Sequence, residues 1–212
     1  MSLGFMRYVR EKNLERCAHW HRHGVADWDL NQWFTAAAGE VGEALEAFAE
    51  WASHDLVATG QLVINGEPGD PVRAASRKRT KARNRVVNEL CDVTLYLDLL
   101  AARAGHAFRD PGVRYAHEIG ETLSMLRAAQ FVLVVGDTIK KLNRDHDRLA
   151  GNTMDFSALS EQLADELDHA LAALNAAFRA FRAEPQTALC DKFNAVSKRN
   201  GFHVFMTPGC TS

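Results

Sequence analysis

Trp-Phe-Thr-Ala-Ala-Ala-Gly-Glu-Val-Gly-Glu-Ala-Leu-Glu-Ala-Phe, residues 33–48, carries Phe34, Ala38, Val41, Leu45 and Phe48 at the i, i+3, i+4, i+7 spacing of a helix face. Apart from Thr35, its polar side chains are Glu40, Glu43 and Glu46, so the helix is apolar nearly all round and belongs in a protein interior. The same periodicity predicts helices over Leu30–Trp51, Val86–Ala104, Glu121–Leu142 and Leu159–Phe181. Strand signals are weak and confined to Leu56–Asn65, where Asn65-Gly66 suits a short hairpin turn. Ser53–Ala75 gathers Gly60, Gly66, Pro68, Gly69 and Pro71 and reads as a long connection. The expected fold is an all-α helical bundle.

The 212 residues are 47% hydrophobic and 25% charged, a composition that can build a core and is not that of a disordered chain. Twenty-five Lys+Arg stand against 27 Asp+Glu, so no overall basic excess drives nucleic-acid binding, and phosphate contacts must be local. The strongest apolar run, Phe131–Val135, falls far short of a membrane span, and the N-terminus has no signal-peptide core. A cytoplasmic chain is expected, with no membrane partner. Cys17, Cys91, Cys190 and Cys210 form no CxxC pair and are expected to be reduced.

The chemistry concentrates in acids. Glu40 and Glu43 are i and i+3, so both carboxylates leave one helix face, and Glu89 and Asp92 repeat that geometry on the next long helix. Around the second pair, Leu90, Val93, Leu95, Leu97, Leu99 and Leu100 leave little wettable surface. Like charges about 4 Å apart cost roughly 4 kcal/mol per pair at an effective dielectric near 20. Converging carboxylates must therefore hold protons or be neutralised by cations. An all-oxygen donor set favours Mg²⁺, with Mn²⁺ as a substitute, over Zn²⁺.

The helices also pair off. Gly39-Glu40 is echoed by Gly136-Asp137, and Asn88-Glu89-Leu90-Cys91-Asp92 by Asp165-Glu166-Leu167-Asp168-His169. A degenerate tandem duplication is expected, with its boundary near Pro111. Residues 1–110 would form the first unit, with the connection 53–80, and residues 111–212 the second.

Gly-Glu-Val-Gly-Glu (39–43) followed by Asn-Glu-Leu-Cys-Asp-Val (88–93) resembles the ExxE…ExxD signature of the MazG-like, all-α nucleoside triphosphate pyrophosphohydrolases. Asp98-Leu-Leu-Ala-Ala-Arg-Ala-Gly105 and Lys192-Phe-Asn-Ala-Val-Ser-Lys-Arg199 are similar to segments of its short phage and bacterial members. The resemblance implies a helical bundle that cleaves (d)NTPs to (d)NMP and pyrophosphate with Mg²⁺. By matched position it implies that Glu40, Glu43, Glu89 and Asp92 are catalytic metal ligands. It also implies that Lys192, Asn194 and Arg199 contact the nucleotide or its phosphates. Family members are commonly oligomers, so a homodimer is implied, or a pseudo-dimeric monomer if the duplication is real. In short members the Lys-Phe-Asn element follows the ExxD aspartate closely, whereas here position 115 is Tyr and the element lies in the second unit. A composite site is therefore expected, with Lys192 on a phosphate oxygen and touching neither the ions nor the core.

Arg85 ends a basic run (Arg77, Lys78, Arg79, Lys81, Arg83, Arg85) four residues before Glu89, which aims it at the carboxylates as a phosphate ligand. Trp33, seven residues before Glu40, shares its face and could stack on a base, although core packing competes. His19, His21 and His23 read as a polar loop cluster, and Cys91 as inert packing. Two rival functions stand beside the hydrolase: a di-iron carboxylate bundle, hinted at by Glu166-x-x-His169, and a non-catalytic nucleotide sensor.

Overall fold

The computed structural model describes residues 1–58, 70–110, 120–146 and 153–209. They form six α-helices: α1 (Leu3–Trp20), α2 (Leu30–Ala58), α3 (Asp70–Arg103), α4 (Glu121–His146), α5 (Thr153–Ala180) and α6 (Pro185–Arg199), with a 3₁₀ turn at Gly24–Asp27. No strand occurs among the described residues. The expected hairpin lies, beyond Ala58, outside them, as does the boundary at Pro111. The long connection is shorter than its glycines and prolines suggested. Helix α2 continues to Ala58, and α3 begins at Asp70, with Pro71 in its first turn, where a missing N–H costs nothing.

Two antiparallel hairpins, α2–α3 and α4–α5, make the bundle, with α2 against α4 and α3 against α5. The apolar faces read from the sequence meet inside it, with Trp33, Val86, Leu90, Leu97, Met125, Ile139, Leu167 and Phe178 buried. Helix α2 starts at a reciprocal capping box, in which Asp29 Oδ1 accepts from the Gln32 amide at 2.8 Å and Gln32 Oε1 from the Asp29 amide at 2.9 Å. At the end of α5, Arg83 donates to the carbonyls of Phe181 (2.7 Å) and Arg182 (2.9 Å), which ties α3 to the negative end of that helix dipole. One residue of the basic run is thus structural.

Helices α1 and α6 flank this core and both pack on α3. Asp98, wholly buried on α3, accepts from Arg10 Nε at 2.6 Å and from Asn13 Nδ2 at 3.1 Å, and Asn13 also donates to the Leu95 carbonyl at 2.8 Å. This polar pin fixes α1 beside the C-terminal half of α3. Glu121–Arg144 in α4 is long and apolar enough by composition to cross a membrane, and half of its most apolar window is buried inside the bundle.

At Gly136, α4 makes room for a side chain of α2: a Cβ there would run into the ring of Phe34. Gly136→Ala should destabilise the chain by about 1–3 kcal/mol through overpacking. In a Phe34→Ala background the same change should stabilise by up to about 1 kcal/mol, because alanine is the better helix former once the ring is gone. Urea unfolding of the double-mutant cycle checks this sign reversal.

Candidate metal centre

Glu40 leaves α2, and Glu89 and Asp92 leave α3, toward the seam between the two helices. Each offers a carboxylate oxygen, and these oxygens all lie within 4.8 Å of one another. Their half-buried position raises the cost of charge. Glu40 is pushed from its ordinary 4.5 up to about 7, first by burial and then by Asp92, Glu43 and Glu89, with Lys192 pulling the other way. Burial is also the largest influence on Glu89 and Asp92, both of which are shifted upward against the pull of Lys192. Glu43 stands outside the close group and is exposed to solvent, yet it lies near enough to raise the proton affinity of all three. The expected four-carboxylate cluster is therefore a triad with Glu43 beside it.

Lys192 comes from α6, whose start is set by Pro185 and by Glu184 accepting from the Thr187 amide at 2.6 Å. Its Nζ lies 2.5 Å from Asp92 Oδ2, with both side chains about one-fifth exposed. The structure thus brings the C-terminal helix to the carboxylates. Lys192 thus touches a candidate metal ligand.

Other expected site residues lie elsewhere. Trp33 is wholly buried, donates from Nε1 to the Val25 carbonyl at 3.0 Å and packs on Trp28, so no ring face is open to a base. Arg85 pairs with Glu46 (3.0 Å) and Glu50 (3.4 Å) across the α2–α3 groove and reaches Glu89 only at 3.9 Å. It sits at the rim as a cross-helix tie. The amide of Asn194 both donates to and accepts from the backbone of Met206, which commits its side chain to fastening the C-terminal tail to α6. Arg199 is exposed and lines a cavity of about 400 Å³ that also contains Glu40, Asp92, Tyr96 and Lys192.

The same cavity is walled by Asn13, Arg16 and Trp20 of α1, a helix absent from the sequence reading. Its inward positions (Phe5, Met6, Val9, Asn13, Arg16, Cys17) do follow a helical period, but Asn13 and Arg16 break the apolar pattern. The three histidines do not gather: His19 stacks on Phe202, and His21 packs against Trp28 and Trp33. Cys91 is fully buried, and its thiol is shifted far upward by burial. In the second hairpin Asp137 is exposed and faces Lys140 at 3.7 Å. Glu166 accepts from Thr138 and Gln162, and His169 tilts onto Phe131. No protein-family model, curated protein or solved structure matches this chain.

The raised Glu40 has a consequence for stability. Between its ordinary 4.5 and about 7 the folded chain binds more protons than the unfolded one. Its contribution is therefore full below the lower value and is lost as pH rises through the upper one. In chelator, the melting temperature should fall between about pH 5 and about pH 8, and more shallowly in Glu40→Gln. Equal slopes in thermal melts of the two proteins would contradict this assignment.

Proposed function

We propose that this chain is a cytoplasmic, Mg²⁺-dependent nucleoside triphosphate pyrophosphohydrolase that converts a (d)NTP and water to (d)NMP and pyrophosphate. The observation that carries the reading is the triad of Glu40, Glu89 and Asp92 with oxygens within 4.8 Å, of which Glu40 and Asp92 line a cavity that also presents Lys192. Three hard oxygen donors without sulfur or imidazole fit Mg²⁺ or Mn²⁺. Burial and, after it, the neighbouring carboxylates raise Glu40, and a cation would offset both. The likeness of residues 39–43 and 88–93 to the MazG-like signature supports the same assignment.

Glu40, Glu89 and Asp92 would hold the ion. Bound there, Mg²⁺ supplies charge neutralisation for the triphosphate and a lowered pKa for water. The chain's own groups do the rest. Lys192, in an ion pair with Asp92, can turn its three N–H donors to a phosphate oxygen when that carboxylate engages a cation. Arg199, exposed at the cavity, meets the incoming polyanion. Glu43, exposed beside the triad, is the carboxylate free to take the proton from the attacking water. Helix α4 leaves Leu123, Leu126, Leu133 and Val134 exposed along one side, which supports a homodimer closed on that face.

A screen of dNTPs and NTPs should find at least one turned over to monophosphate and pyrophosphate, with no turnover in excess chelator. Glu89→Gln and Asp92→Asn should each lower the rate by at least roughly a hundredfold. Orthophosphate as the first product, or full activity in chelator, would contradict the reading.

A further inference from the structure

Two arginines of α1 face the same buried region and are treated very differently. Arg10 is ion-paired to Asp98 at 2.6 Å and also donates to the His106 carbonyl at 3.0 Å. Arg16, 3% exposed, has no carboxylate within ion-pair distance among the described residues. Its guanidinium makes two long hydrogen bonds, both 3.4 Å, to the Phe193 carbonyl and Asn13 Oδ1. Its Nε–H is buried with no hydrogen-bond partner.

A buried cation without a counter-charge is costly, and buried donors are nearly always satisfied. Burial pulls Arg16 down to about 10, with Asp92 opposing the shift. The guanidinium plane is nonetheless well held. It lies 3.8 Å from the centroid of the Phe193 ring and 4.9 Å from that of Trp20. Ring faces hold a cation without consuming its N–H donors. The side chain is thus fixed, charged and short of acceptors, and it lines the 400 Å³ cavity that also holds Asp92, Lys192 and Arg199. A neutral ligand would supply an acceptor alone, whereas an oxyanion supplies both the acceptor and a charge in direct contact.

We infer that Arg16 anchors the ligand by binding a non-bridging phosphate oxygen of its polyphosphate chain inside this cavity. The identity of the anion as a phosphate rests on the function proposed above, while the demand for an anion rests on Arg16 alone. Lys192 and Arg16 then act as a pair, one beside the carboxylates and one held between Phe193 and Trp20. Arg16 is a binding residue contributed by the helix that carries none of the acidic motifs.

The test is calorimetric titration of the full chain with inorganic tripolyphosphate in Mg²⁺ buffer, with an unphosphorylated nucleoside as the control. Wild type should bind tripolyphosphate, and Arg16→Met should weaken it about ten- to a hundredfold, the usual loss for one charge-assisted bond. The melting temperature should stay within about 3 °C of wild type, because an unpaired buried charge contributes little to folding. If Arg16→Met does not fold, Arg16→Gln keeps the stem and an amide donor and should show the same loss. Unchanged tripolyphosphate affinity overturns the inference, as does absence of binding to wild type. A loss seen for the nucleoside alone overturns it too, by assigning Arg16 to the base. Arg16-dependent tripolyphosphate binding in a chain that hydrolyses no (d)NTP would uphold the inference and sink the hydrolase reading.

Discussion

Mutual repulsion among Glu40, Glu89 and Asp92 is the constraint around which the molecule is organised. The α2–α3 hairpin buries apolar faces on both helices, and that burial forces three carboxylates into one half-buried seam. The energy for holding them there comes from the core, since the acids themselves oppose it. Glu40 is held up at about 7, first by burial and then by the neighbouring carboxylates.

The chain offsets part of that charge with its own cation. Helix α6 is placed against α3 so that Lys192 meets Asp92 at 2.5 Å, and the tail beyond it is fastened by Asn194 to Met206. Helix α1 is pinned to α3 through Asp98, which commits Arg10 and Asn13 and leaves Arg16 facing the cavity. The two flanking helices thus contribute positive charge to a site whose negative charge comes from the hairpin. A polyphosphate with a divalent cation has the complementary pattern of charge.

The four core helices were legible because their apolar faces repeat at helical spacing over many turns. The carboxylate pairs were legible because i and i+3 share a face whatever the tertiary packing. What spacing does not reveal is which way a shared face points. Trp33 lies on the face of Glu40, but it is two turns deeper and wholly within the core. Arg85 lies on the face of Glu89 and is drawn aside by Glu46 and Glu50, whose proximity depends on how α2 crosses α3. The family resemblance offers Asn194 as a ligand contact, whereas its partner, the backbone of Met206 seven residues beyond the basic end of α6, has no sequence signature. Helix α1 is not legible in the sequence because its buried stripe is interrupted by Asn13, which ties it to Leu95 and Asp98, and by Arg16, which faces the cavity.

Diffraction at the manganese edge decides whether the α2–α3 seam is a cation site. Crystals soaked in Mn²⁺ should show an anomalous peak bounded by oxygens of Glu40, Glu89 and Asp92, with Lys192 Nζ displaced from Asp92. No peak at the seam, with the Lys192–Asp92 ion pair intact, would contradict it.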